Sequence, residues 1–219
     1  MARTAAAPKT KWGDREGRRR DILRAARRQM ADGGYLGLNM REIAAGAGVS
    51  PGTLYSYFAT KEEIFATLYA EAIDEHNARV EPICLAPTDL EQVLVDLATV
   101  YLDLYGAYGR YFTLWSELAE EHGDDTPERP LPRELRVALA AATRRQGELV
   151  RAGLRRAAAA EGRALTDEPR AMVLLWTVLN GIGDHVFSDR RHLTPYPPDD
   201  LIAFAAKTIA AGITVALDP

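Results

Sequence analysis

Between residues 39 and 63 the chain carries three helix-start signals in close succession. Asn39 precedes Glu42 at capping-box spacing, Ser50 is followed by Pro51, and Thr60 precedes Glu63. A short polar side chain can accept a hydrogen bond from the first free N–H groups of a helix, and proline fits the first helical position because its missing N–H is not needed there. Starts this close together leave room for helices of only two or three turns, and helices that short persist only when packed on one another. The spacing predicts one helix from Asn39 to Gly48, a turn around Ala47-Gly48-Val49, a second helix over 51–58 and a third beginning at Thr60. Leu54 and Phe58 form a buried i, i+4 pair, Ile64, Phe65 and Leu68 open the apolar stripe of the third helix, and Ala44 and Gly48 are small enough for close crossing. This is helix-turn-helix organisation.

The rest of the chain reads as all-α. No β-branched alternation runs for more than a few residues, and apolar positions recur at helical spacing after residue 18. A first helix carries Ile22, Ala25, Ala26 and Met30 on one stripe and ends at Gly33-Gly34, after which Tyr35 and Leu36 are expected to turn inward. Breaks are expected at Pro82, at Pro87, near Gly106–Gly109, across 123–132, near Gly162 and across 194–198. Between them, helices are expected over 90–106, 109–121, 133–160, 167–188 and 199–216. With 219 residues, 47% of them hydrophobic, the chain can fill a sizeable core. No apolar run reaches membrane-spanning length, and the single cysteine, Cys84, excludes an internal disulfide and a multi-cysteine zinc site. The expectation is a cytoplasmic protein.

Charge is segregated. Residues 1–65 hold 12 Lys and Arg against 7 Asp and Glu, whereas residues 66–219 hold 15 against 24. A positive front and a negative remainder suggest a module that attracts polyanions joined to one with another task. A solvated basic tail accounts for part of the excess, since ten of the twelve front cations lie in the first 30 residues. On the second short helix, Leu54 and Phe58 face the core, which leaves Gly52, Thr53, Ser56 and Tyr57 outward and Tyr55 at the edge. Such a face suits a major groove, and Lys61 at the next helix start suits a phosphate oxygen.

The stretch REIAAGAGVSPGTLYSYFATKEEIF, with ILRAARRQMADGGY before it, resembles the DNA-binding signature of the tetracycline-repressor (TetR) family of bacterial transcription regulators. The resemblance covers about residues 18–66. It implies an unstructured basic arm over 1–17, a DNA-binding domain over 18–65 and an all-α ligand-binding and dimerisation domain over 66–219. It places Met40, Arg41, Ser50, Pro51, Gly52, Thr53, Tyr55, Ser56, Tyr57 and Lys61 at DNA-contacting positions. Met40 departs from the small hydroxyl residue usual there, and an apolar contact to a thymine methyl replaces the hydrogen bond. Arg15, Arg18, Arg19 and Arg20 would add phosphate contacts.

Residues 101–115 hold six of the chain's seventeen aromatics, a density that fits either ordinary core or an apolar pocket with phenolic hydroxyls. By resemblance, helices here line an effector cavity, and Tyr101, Tyr105, Tyr108, Phe112, Trp115 and Trp176 are the candidates for holding a small hydrophobic or aromatic effector. The pattern WTVLNG at 176–181 is similar to a family subgroup signature, with Asn180 where histidine is more usual. The resemblance also implies a homodimer formed through the last two helices, double-stranded operator DNA as partner, effector-driven release from DNA, no membrane association, no cofactor and no catalysis. Two other readings compete. An enzyme finds little support, because His76, His122, His185 and His192 show no metal-protease spacing and neither a GxSxG nor a complete GxGxxG motif occurs. EEHGDD at 120–125 and Asp184-His185 read as solvated acidic groups rather than metal sites. An architectural DNA-binding protein without an effector is the second.

Overall fold

The computed structural model describes residues 14–86, 88–109, 131–188, 192 and 195–216, and the chain divides into two compact units, residues 1–68 and 69–219. In the first unit, α1 (Arg15–Gly33) starts where the Asp14 carboxylate accepts from the Gly17 N–H at 2.7 Å. This cap makes Arg15, Glu16 and Gly17 helical, so the expected unstructured arm of 1–17 does not extend through them. Helix α1 buries Ile22, Leu23, Ala25, Ala26 and Met30. A 3₁₀ turn over Tyr35–Gly37 follows, and it corrects the expectation that Tyr35 and Leu36 both turn inward: Tyr35 is buried and Leu36 is 79% exposed. At three residues per turn, successive side chains point a third of a revolution apart, so only one can face the core.

Helices α2 (Met40–Ala47) and α3 (Pro51–Tyr55) form the helix-turn-helix. The cap of α2 differs from a full capping box. Asn39 Oδ1 accepts from the N–H groups of Arg41 and Glu42 at 2.9 and 3.3 Å, but Glu42 does not return the bond. Gln29 of α1 takes that place, accepting from the Asn39 N–H at 2.9 Å and donating to Glu42 at 3.4 Å. Gly48 ends α2 in the left-handed conformation at φ 70°. Helix α3 is shorter than the expected 51–58, because the backbone tightens after Tyr55: the Tyr57 N–H donates to the Leu54 carbonyl at 2.9 Å. Phe58 is still buried, as are Leu54 and Phe65. Thr60 caps α4 (Lys61–Leu85) by accepting from the Glu63 N–H at 3.2 Å, while Glu63 accepts from the Ala59 N–H at 2.7 Å.

The second unit contains the rest of α4 with α5 (Leu90–Tyr108), α6 (Arg133–Ala160), α7 (Glu168–Phe187) and α8 (Pro198–Ile213). Helix α5 packs against α6, α7 and α8. The shared core includes Leu94, Leu97 and Tyr101 of α5, Leu154 of α6, Leu175 of α7 and Ile202 and Ile209 of α8. Two expectations are corrected. Helix α4 runs through Pro82 instead of breaking there, because Val80 and Cys84 on either side of it are both buried, and Arg156 donates to the Cys84 carbonyl near the helix end. The last helix ends at Ile213 rather than 216, since β2 (Thr214–Ala216) pairs antiparallel with β1 (Arg163–Leu165). The Thr166 N–H and hydroxyl both donate to the Ile213 carbonyl, at 2.9 and 3.0 Å, which fixes the ribbon. The expected helix over 109–121 and the EEHGDD cluster lie outside the described residues. Among the described residues, no helix is long and apolar enough to cross a membrane.

Candidate nucleic-acid interface and candidate ligand cavity

The reading face of the first unit is built by burying Leu54 and Phe58, which are 0% and 2% exposed. That rotation leaves Ser50, Pro51, Gly52, Tyr55 and Ser56 exposed and Thr53 and Tyr57 half-buried. Tyr55, expected at the edge, is 53% exposed, whereas Tyr57, expected outward, lies 5.6 Å beneath the Arg15 guanidinium. Ser50 Oγ accepts from the Thr53 N–H at 3.1 Å, and the two hydroxyls lie 2.9 Å apart. Ser56 Oγ donates to the Thr53 carbonyl at 2.7 Å, so its lone pairs remain for an incoming donor. Met40 is half-buried and Arg41 exposed at the start of α2.

Arg15, Arg18, Ser56 and Tyr57 together line a concave groove of about 200 Å³ at the reading face. Two guanidiniums beside a hydroxyl form a recess with the chemistry of a phosphate site. Arg19 lies over the Phe58 ring at 5.4 Å. Lys61, expected to wait at a helix start for a phosphate, places its ammonium 4.5 Å over the Tyr35 ring. Tyr35 in turn donates to Glu62 at 2.6 Å and meets Phe65 edge-on at 5.2 Å.

In the second unit a cavity of about 160 Å³ lies among α4, α5, α6 and α7. His76, Tyr101, Thr143, Gln146 and Trp176 contribute its polar or aromatic edges, aliphatic side chains such as Leu97, Val150 and Leu175 supply much of the rest, and among the described residues no charged side chain lines it. Of the aromatic candidates, Tyr101 and Trp176 meet here, their rings 5.8 Å apart and edge-on. Tyr101 also donates to Asn180 Oδ1 at 3.1 Å, and Asn180 Nδ2 donates to the Trp176 carbonyl at 2.7 Å. Burial raises the Tyr101 phenol pKa, with Tyr69 and Tyr105 nearby adding to it and the Asn180 bond opposing, so it stays a neutral donor.

Tyr105 and Tyr108 do not line the cavity. Tyr105 donates to Asp184 at 2.7 Å and stacks 6.1 Å from Phe187, while Tyr108 packs 5.4 Å from Tyr69. Both stay on the stripe of Tyr101, but the stripe passes different neighbours along α5. Phe112 and Trp115 lie outside the described residues. The residue that sequence reasoning missed is His76. It is 5% exposed, its ring lies 6.4 Å from Tyr101, and its Nδ1 has no hydrogen-bond partner. Burial, aided by the Arg79 charge, pushes the His76 pKa down to about 4, against a backbone hydrogen bond at Val100 and the Asp103 carboxylate. The imidazole is therefore neutral near pH 7. The only trace in the sequence was a lone histidine within an apolar stripe that holds Ile73 and Val80.

A short exposed helix held across a partner helix, with cationic side chains at its flank, has the geometry of a helix-turn-helix. Residues 22–68 match the family described as "Bacterial regulatory proteins, tetR family". Over 60 residues the chain is 38% identical to the fatty acid metabolism regulator protein of Bacillus subtilis, a match covering 27% of this chain and 31% of that relative. It resembles the structure of the transcriptional regulator FadR from B. subtilis in complex with stearoyl-CoA, with 20% identity, a TM-score of 0.61 and coverage of 89% of this chain and 98% of that one. It also resembles a Saccharomonospora viridis protein solved in complex with choline, with 20% identity, a TM-score of 0.69 and coverage of 92% and 100%. At these identities the structural likeness is one of fold.

Proposed function

We propose that the chain is a ligand-released transcriptional repressor that acts in the cytoplasm as a homodimer on a palindromic operator. The observation that carries this reading is the reading face itself: exposed Gly52, Tyr55 and Ser56 stand beside the Arg15 and Arg18 recess. Arg15 and Arg18 take phosphates and set the register. Thr53, Tyr55, Ser56 and Tyr57 approach base edges or adjoining phosphates, with Met40, Arg41, Ser50, Pro51 and Lys61 around them. Gly52 lets the helix start come close to the DNA.

Val173, Leu174 and Phe204 on α7 and α8 are exposed, and a second copy is the cover we assign to them. A two-fold pair of reading helices about one DNA turn apart, roughly 34–36 Å, reads a palindrome. The cavity lined by Tyr101 and Trp176 takes a small hydrophobic or aromatic effector. Stearoyl-CoA and choline, the ligands named for the two structural neighbours, share little chemistry, so the effector class must come from this chain's own cavity. Helix α4 carries both Lys61 and the cavity residue His76, which makes it the route by which effector binding favours a DNA-incompetent conformation.

The test is selection of genomic DNA fragments by the purified protein at near-physiological salt, followed by sequencing. A two-fold symmetric site near a promoter is the expected result. Salt-sensitive retention of every fragment with no common sequence would overturn the proposal in favour of an architectural role.

A further inference from the structure

Helix α6 faces the cavity of the second unit with Thr143, Gln146, Gly147 and Val150, spaced i, i+3, i+4 and i+7, so one helical stripe forms that wall. The stripe has a gap. Gly147 stands in its middle, and a Cβ built there would meet nothing within 4 Å. The other walls carry branched aliphatic side chains, among them Val80, Leu97, Leu175 and Leu179, all four buried. The side chain missing at 147 is therefore part of the room the cavity offers, about 160 Å³. An apolar cavity of about 150 Å³ takes up benzene, whereas sites for drug-sized ligands run from about 300 Å³ upward. The space suits one ring.

The polar groups lie to one side of it. At the inner end Tyr101 donates its hydroxyl hydrogen to Asn180, and His76 Nδ1 is closed off from the free space. On α6, Thr143 is exposed and Gln146 half-buried, and among the described residues neither side chain has a hydrogen-bond partner. Trp176, 47% exposed, also opens to solvent, so the mouth is framed by these three. A threonine hydroxyl and a glutamine amide can each both donate and accept.

We infer that the cavity takes a neutral molecule with a single ring and one hydroxyl group, the ring filling the space beside Gly147 and the hydroxyl lying between Thr143 and Gln146 at the mouth. The inference rests on the proposal that this cavity is the effector site, and it specifies the effector's size and chemistry. Gly147 is the residue that sets the size. With the hydroxyl held at the mouth, a second ring would have to point at the buried Leu97, Leu175 and Leu179, where no room is left for it. An ionised ligand would leave water for a lining that, among the described residues, holds no countercharge. The Tyr101 and Trp176 rings, edge-on to each other at 5.8 Å, give an aromatic ligand its ring contacts.

The experiment uses the full chain and four probes: benzyl alcohol, toluene, benzoate and 2-naphthalenemethanol. Affinities are read by NMR titration for the wild type, for Gly147→Leu, and for the double variant Thr143→Val, Gln146→Leu. In parallel, each probe is tested for release of a genomic fragment selected as above. Benzyl alcohol should bind the wild type about tenfold tighter than benzoate or 2-naphthalenemethanol, although the latter has the larger apolar surface. Gly147→Leu, which puts an isobutyl group into the open space, should abolish binding of benzyl alcohol and toluene alike. The double variant should lose about tenfold for benzyl alcohol, the worth of its hydrogen bonds, and nothing for toluene. Tighter binding of the two-ring or the ionised probe, unchanged binding in Gly147→Leu, an equal loss of alcohol and toluene in the double variant, or saturable binding of no probe would each overturn the inference. Should Gly147→Leu fail to fold, proton–proton Overhauser contacts in the wild type decide: benzyl alcohol ring protons close to the Leu97 and Leu175 methyls, with its methylene close to Thr143, support the placement, and the absence of these contacts overturns it. The two proposals fail separately. Benzyl alcohol bound as described without DNA release removes the effector role and leaves the site chemistry standing; DNA release by benzoate or 2-naphthalenemethanol alone does the reverse.

Discussion

Tyr35 Oη donates to Glu62 Oε1 at 2.6 Å, tying the turn after α1 to the first turn of α4. The same tyrosine ring lies under the Lys61 ammonium and against Phe65, so one side chain positions the helix that follows the reading head. Burial works to raise the Glu62 pKa, but the Tyr35 hydroxyl, the residue's own backbone N–H, Thr60 and Lys61 together hold it below the ordinary value. Tyr35→Phe removes only the hydroxyl and should cost about 1 kcal/mol, the site being only half-buried. A lowered folded-state pKa adds stability that is present above the unfolded value and disappears as pH falls through the folded one. The difference between wild type and variant in urea unfolding should therefore be full at neutral pH and fade on acidification. A gap that stays constant with pH would assign it to packing instead.

Gly48 sets the angle between α2 and α3. At φ 70° it occupies the left-handed region, and no atom lies within 4 Å of where a Cβ would sit. The cost of a side chain there is purely conformational. Gly48→Ala should lower stability by about 1 kcal/mol, and Gly48→Asn by less, because asparagine tolerates this region. Thermal melts of the two variants check the order; an alanine variant as stable as wild type would contradict the assigned backbone.

The recess formed by Arg15 and Arg18 makes a quantitative claim about DNA. If each guanidinium neutralises one phosphate, the double variant Arg15→Ala, Arg18→Ala flattens the log–log salt slope by about 1.8, since each contact contributes about 0.9. The preferred sequence should stay the same. Titrations of a selected fragment between about 50 and 200 mM salt read both quantities. An unaltered slope would place these side chains off the phosphate backbone.

The helix-turn-helix was legible because its signals are local. Asn39, Ser50 and Thr60 each act on N–H groups two or three residues away, within the reach of a sequence pattern. Gln29 was not legible, because it meets Asn39 only after α1 has turned back on α2. The same distance hid the ribbon, whose three-residue strands are too short for a period-2 pattern and are 49 residues apart in their first register pair, Thr214 with Leu165. In the second unit the aromatic density of α5 was visible, but density does not say which rings share a space. Tyr101 reaches the cavity and Tyr105, one turn on, meets Gly183, where a Cβ would stand 2.6 Å from its ring. The pattern marked the stripe; the neighbours came from the fold.

His76 carries a consequence for acid stability that is independent of any ligand. Its folded pKa of about 4 lies below the usual 6.5, because burial and the Arg79 charge disfavour the imidazolium. The unfolded chain therefore takes up a proton near pH 6.5 that the folded chain refuses until about pH 4. Stability is unaffected above the unfolded value and falls as pH drops through this window, by up to about 1.4 kcal/mol per pH unit from this residue alone. The Arg79–Asp103 ion pair, at 2.6 Å, sets opposing charges beside the ring, so Asp103→Asn should deepen the fall by removing the one nearby carboxylate that favours the charged form. His76→Gln cannot titrate and should abolish this part of the slope. Urea unfolding of the three proteins between pH 7 and pH 4 measures it directly. A wild type and His76→Gln with parallel pH profiles would mean that the folded protein accepts the proton, and hence that the imidazole is not held neutral inside the cavity wall.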